Sequence, residues 1–192
     1  MASRKGPGRP RSEAAHRAIL DATLDIVQEQ GYGGLTMEAI ARRAGVSKQT
    51  IYRWWPTRAA VLLEALNDRA NALAPDEDRG SLEADLRAFM RRASAGPRTQ
   101  VGRALTGLMA EAQIDPDFAA SFREGYLGRR RAVLGELFER ARRRGEIGAD
   151  VDIPFIVDVV FGTLWYRLLS GHAPLNRRFA DELTDAVLRL CR

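Results

Sequence analysis

Apolar positions recur at three- and four-residue spacing along most of the chain, and strict apolar–polar alternation is nowhere sustained. The pattern predicts helices and no strands. Ile19, Thr23, Ile26, Val27 and Gln30 fall on one stripe, which predicts a first helix over Glu13–Gln30, ended by Gly31. Two short helical pieces follow in Leu35–Trp55, LTMEAIARRAGVSKQTIYRWW. After Pro56, Thr57 is placed to cap a helix running to about Leu73, with Val61, Leu62 and Leu66 inward. The acidic, turn-forming stretch Ala74–Gly80 reads as a loop. Further helices are expected at Ser81–Ala95, Thr99–Gln113, Pro116–Arg144, Ile153–Ser170 and Arg177–Cys191. Gly96-Pro97, Asp115-Pro116, Gly145 to Gly148 and Gly171 to Pro174 separate them.

The two short pieces have the chemistry of a helix-turn-helix. Thr36 is a capping residue, and Ile40 and Ala44 share a face at i, i+4 spacing. Ala41 is small enough for a second helix to pack close. Gly45 suits the left-handed conformation that ends a helix, Val46 can tuck under the turn, and Ser47 caps the next helix. Lys48, Gln49 and Thr50 then form its first turn. Two helices joined this way cross steeply, so the second can lie in a DNA major groove with its N-terminal side chains on base edges. Lys48 matches guanine O6/N7 and Gln49 matches adenine N6/N7. Thr36, Ser47, Tyr52, Trp54 and Arg58 are expected to clamp phosphates on either side, with Trp55 turned toward the core.

Leu35-Thr36-Met37, Ile40-Ala41, Ala44-Gly45-Val46-Ser47, Ile51-Tyr52-Arg53 and Trp55-Pro56 together resemble the DNA-binding domain of tetracycline-repressor (TetR) family regulators. The resemblance runs from about Ala14 to Leu66. The sequence departs from the family habit at Trp54-Trp55, where a His or Arg followed by Phe is commoner, and at Arg58, where lysine is more usual. The resemblance implies an all-α protein: an N-terminal three-helix helix-turn-helix domain (12–56), joined by a linking helix to a C-terminal helical ligand-binding and dimerisation domain (57–192). It also implies a homodimer on a palindromic double-stranded DNA operator, more often a repressor, released by a small-molecule effector that is expected to be hydrophobic or aromatic.

Charge sharpens this reading. Residues 1–60 hold ten Lys/Arg and five Asp/Glu, a net of +5, whereas 61–192 hold twenty of each, so the excess positive charge lies on the DNA-reading segment. Residues 1–11, MASRKGPGRPR, form a basic arm unable to fold alone. Arg9 and Arg11 beside Gly8 and Pro10 resemble an AT-hook that enters a minor groove, with a solubilising tail as the alternative. One cysteine, Cys191, and two histidines, His16 and His172, give no disulfide within the chain and no metal-ligand spacing. No nucleophile elbow or acid/base constellation is present, so neither catalysis nor a cofactor is expected. Without a run of eighteen apolar residues or an apolar leader, a cytoplasmic protein with no membrane partner is expected.

Two features of the second region bear on assembly and control. Ile153–Leu169 is apolar nearly all round, so it needs partners on several sides. With the stripe on Arg177–Cys191, the family resemblance makes it half of an intersubunit four-helix bundle, with Ile156, Val160, Leu164, Leu183, Val187 and Leu190 at the interface. Soft and aromatic residues on the middle helices, which serve as core or as cavity wall, give Met90, Leu108, Met109, Phe122 and Trp165 as the candidate effector wall. Arg129 and Glu111 are candidates for its rim. The runner-up function is a ligand-independent architectural DNA binder of nucleoid type.

Overall fold

The computed structural model describes residues 13–72, 78–96 and 99–191. Arg9, Arg11 and the rest of the basic arm lie outside them, as do Pro97 and most of the Ala74–Gly80 loop. All regular elements among the described residues are helices: α1 (Glu13–Gln30), α2 (Met37–Ala44), α3 (Lys48–Tyr52), α4 (Arg58–Ala72), α5 (Leu82–Ala95), α6 (Gln100–Ile114), α7 (Pro116–Ser121), α8 (Gly128–Arg143), α9 (Ile153–Ser170) and α10 (Arg177–Leu190). A 3₁₀ turn, Tyr32–Gly34, joins α1 to α2, and a π-helical stretch, Phe122–Leu127, joins α7 to α8.

Side-chain caps set most of the starts. Oxygens of Thr57, Ser81, Thr99, Asp115, Asp152 and Asn176 each accept an N–H from the first turn of the helix that follows. Glycines end several helices: Gly31 at φ 71°, Gly45 at φ 67° and Gly171 at φ 64° are left-handed, where a Cβ would be strained.

The helices enclose two cores. The first gathers Ile19, Ile26, Val27, Leu35, Ile40, Ile51, Trp55, Leu62 and Leu66 from α1–α4, and extends to Ala104 and Leu108 of α6 and to Phe118 and Phe122 around α7. The second joins α5, α8, α9 and α10 through Leu86, Met90, Leu134, Phe138, Ile156, Val160, Leu183 and Val187. Burying each such side chain contributes about 1.5–3 kcal/mol. The boundary expected near residue 57 therefore separates neither core: α6 and α7 pack with the N-terminal helices.

α9 is long and apolar enough to cross a bilayer by length and composition, with a mean hydropathy of 1.4. In the fold, Ile153, Ile156, Val157, Val160 and Leu164 face the second core. Phe155 (59% exposed), Tyr166 (66%) and Leu169 remain uncovered on the other side.

Candidate functional site

The turn between α2 and α3 has the geometry its residues predict. Thr36 Oγ1 accepts from Ala39 N at 3.0 Å and Ser47 Oγ from Thr50 N at 3.1 Å. Val46 N donates to Ala41 O at 3.0 Å across the left-handed Gly45, which closes the end of α2. Each cap uses a lone pair, so the Thr36 hydroxyl can still donate to a phosphate oxygen. Ile51 is fully buried and fixes α3 from beneath. Its opposite side presents Ser47, Gln49, Thr50, Tyr52 and Arg53 around one shallow concavity. Lys48 and Gln49 are exposed, and Tyr52 is 53% exposed.

Lys48 is not idle. Its Nζ lies 2.7 Å from Glu38 Oε1, and this hydrogen bond holds the Glu38 carboxyl below its ordinary range. Both partners are exposed, so the pair is weak and leaves Lys48 able to exchange Glu38 for a guanine edge.

The tandem tryptophans separate in role. Trp55 is 3% exposed and its Nε1 donates to Glu64 Oε2 at 2.6 Å. His16 stacks on the Trp55 ring with centroids 5.5 Å apart and is bonded to Glu64 Oε1 at 2.6 Å. A residue from α1 and one from α4 thus grip the tryptophan that follows the recognition helix. Trp54 is half-buried, edge-on to Trp55 at 5.6 Å, with the Arg53 guanidinium 5.2 Å above it. None of Arg53, His16 and Glu64 was assigned a role in the site from the sequence. Arg53 carried a signal, being a cation one residue beyond the reading helix; the other two are placed only by the fold.

Arg58, expected on a phosphate, points inward. Its Nη1 donates to Leu35 O at 2.8 Å and its guanidinium covers the Tyr32 ring at 4.6 Å. Here it clasps the start of α4 to the entrance of α2. Tyr32 in turn abuts α6: a Cβ added at Gly107 would meet Tyr32 Cδ1 at 2.3 Å. Burial pushes the Tyr32 phenol up, with Arg58 pulling the other way.

A cavity of about 380 Å³ lies where α5, α6, α8, α9 and the π-helical stretch meet. Leu105, Met109, Leu127, Phe161, Trp165 and Leu168 give it apolar walls. Of the expected wall residues, Met109 and Trp165 are there. Met90, Leu108 and Phe122 are not; each is at most 1% exposed and fills one of the two cores. The expected rim residues, Arg129 and Glu111, are not part of its lining either. Arg130, Arg131 and Asp158 are, and Arg131 is ion-paired to Asp158 across α8 and α9. The π-helical stretch widens the backbone here, placing Tyr126 and Leu127 on the wall and Gly125 against Asn67 of α4.

Of the expected intersubunit stripe, Ile156, Val160, Leu164, Leu183 and Val187 are buried within the protomer, in the second core. Leu190 remains outside, at 55% exposure. The uncovered apolar face of α9 is instead Phe155, Tyr166 and Leu169, with exposed Gly162 between them.

Comparison with known proteins agrees with this architecture. Residues 19–65 match the family described as "Bacterial regulatory proteins, tetR family", and residues 76–187 match the "Tetracyclin repressor-like, C-terminal domain". The chain is 32% identical over 182 residues to the HTH-type transcriptional regulator YdeS of Bacillus subtilis (strain 168), covering 95% of this chain and 88% of that one. It is 34% identical to the DNA-binding transcriptional repressor TetR of Mycobacteroides abscessus, covering 93% and 94%. The crystal structure of the TetR family transcription regulator SCO0332 superposes with a TM-score of 0.81 at 35% identity, covering 92% of this chain and 98% of the other.

Proposed function

This chain belongs to the TetR family of bacterial transcriptional regulators, and on that premise we propose that it is a homodimeric repressor released from a palindromic operator by a small ligand. It would act in the cytoplasm, where the operator lies. The observation that carries the reading is the first turn of α3. Lys48 and Gln49 are solvent-exposed, Lys48 held only by Glu38, while Ile51 and Trp55 lock the same segment into the core. Rigid backing with a polar, hydrogen-bonding outer face is what direct base readout needs. Thr36, Ser47 and Tyr52 flank it as phosphate contacts, and Arg53 joins them.

The dimer would form through the uncovered face of α9, Phe155, Tyr166 and Leu169, with Leu190 of α10. This face sets two copies of α3 on successive turns of one side of the duplex. The 380 Å³ cavity would take the effector. α6 carries Leu105 and Met109 into that cavity and Gly107 against Tyr32, and Tyr32 touches Arg58 of α4. A ligand that prefers a shifted α6 therefore prefers misplaced reading helices, and operator DNA weakens its binding by the same factor.

The test is a footprint on the DNA flanking the protein's own gene. Protection of one palindrome, with half-site centres about a helical turn or a multiple apart, is expected. Broad coverage with little sequence preference would instead mark an architectural binder and defeat the repressor reading.

A further inference from the structure

We propose that the cavity between α5, α6, α8 and α9 is built for an amphipathic oxyanion: an aromatic, apolar body carrying one carboxylate or phosphate head, held by Arg130. The inference rests on the reading of this cavity as the effector site and names the effector's chemistry.

The walls define the body. Tyr126, Phe161 and Trp165 supply aromatic surface, with Met109, Leu105 and Leu168 filling between them. Aromatic and thioether surfaces favour flat, polarisable partners. The volume, about 380 Å³, sits at the small end of ligand sites (about 300–1,000 Å³), which suits one or two fused rings.

The charges define the head. The lining holds two arginines against one carboxylate. Arg131 is already neutralised by Asp158. Arg130 has no acidic partner among the described residues; its guanidinium lies 5.9 Å from the Tyr126 ring centroid, half-buried at the edge of an apolar recess. A cation so placed loses hydration when a body fills the recess, and only an incoming anion offsets that loss. The guanidinium fork matches a carboxylate or phosphate in two parallel hydrogen bonds. Burial pushes the Tyr126 phenol up, which keeps it neutral in the same lining. A neutral ligand leaves Arg130 uncompensated, and a cationic one meets like charge.

Titration calorimetry on the full chain tests this with four naphthalene probes: 2-naphthoate, 2-naphthyl phosphate, 2-naphthalenemethanol and 2-naphthylmethylammonium. One or both anions should bind about tenfold or more tighter than the alcohol, with the ammonium weakest, and the stronger anion identifies the head. Arg130→Gln should erase the preference by weakening the anions and leaving the alcohol unchanged. Arg130→Lys should restore part of it, and Arg129→Gln should change nothing. Equal affinity for alcohol and anions, binding of none of the four, or an Arg130→Gln chain with undiminished anion affinity would each overturn the proposal. Operator release, measured in parallel, separates the two readings. Anions that bind through Arg130 yet leave the operator complex intact support the head-group assignment and remove the cavity as effector site. Neutral compounds that bind the cavity and release the operator, with no anion binding, do the reverse.

Discussion

Gly107→Ala is the most informative single substitution for the proposed link between cavity and reader. The new Cβ would stand 2.3 Å from Cδ1, 2.6 Å from Cε1 and 2.7 Å from Cγ of Tyr32. Ordinary carbon contacts lie near 3.5–4.0 Å, so ring and helix must separate by roughly an ångström or more. The ring cannot swing away cheaply, because Arg58 covers it and is itself tied to Leu35 O. Overpacking of this kind costs about 1–3 kcal/mol. Against that, alanine gains about 1 kcal/mol over glycine as a helix former. The single variant should therefore change stability by only about 0–2 kcal/mol, too ambiguous a result alone. In a Tyr32→Ala background the clash is gone, and Gly107→Ala should stabilise by about 1 kcal/mol. The cycle of four proteins, unfolded in urea at one fixed protomer concentration, should return a coupling of about 1–3 kcal/mol. Operator affinity should fall with Gly107→Ala and recover toward the Tyr32→Ala value in the double variant. Additivity within about 0.5 kcal/mol would mean that α6 does not bear on Tyr32, and the route from cavity to reader would be lost.

Gln49→Ala should cost about 1–3 kcal/mol of operator binding and relax one base position per half-site in a binding-site selection; an unchanged selected motif would take α3 out of the groove. Tyr166→Arg should yield folded monomers with weak operator binding by sedimentation and gel shift, because this side chain is exposed in the protomer; dimers of normal affinity would move the interface elsewhere. Asp85→Ala should destabilise by about 1–3 kcal/mol in urea, since the buried carboxylate faces Arg140 and Arg144 at 3.4 Å each and accepts Arg79 N at 2.7 Å, while both arginines keep partial solvent access. Glu64→Gln should weaken its bonds to His16 and Trp55, speed amide exchange over residues 51–55 and lower affinity for all DNA sequences alike; protection unchanged from the parent would show that the grip on Trp55 is idle.

Local structure was legible because it is locally encoded. Thr36, Gly45, Ser47 and Thr57 have side chains or backbone freedom with few alternative uses, and each sits where its chemistry predicted. Most helix spans followed from the same punctuation, but the single helix expected over Pro116–Arg144 is divided by the π-helical stretch Phe122–Leu127. Which face of a helix meets what was not legible. Ile153–Ser170 is apolar nearly all round, so its pattern cannot tell the side that packs in the second core, with Val160 and Leu164, from the side left uncovered, with Tyr166 and Leu169. Met90, Leu108 and Phe122 could not be told from Met109 and Trp165 by residue type, because cavity walls and cores use the same side chains. Arg58 was read from its helix terminus; its tie to Leu35, 23 positions away in the chain, exists only after folding.

The first hydrophobic core does not stop where the reading helices stop. Ala104, Leu108, Phe118 and Phe122 belong to it as fully as Ile26 or Leu62. A chimera spliced near residue 57, placing this reader on a relative's sensor or the reverse, would inherit half of a core whose other half was shaped by a different sequence. The seam that preserves packing has to carry α6 and α7 along with α1–α4, and so takes Leu105 and Met109 of the cavity wall with it. The reading helices and part of that cavity wall therefore share one packed unit, and recombination at the obvious linker would have to repair the shared core before any new pairing could work.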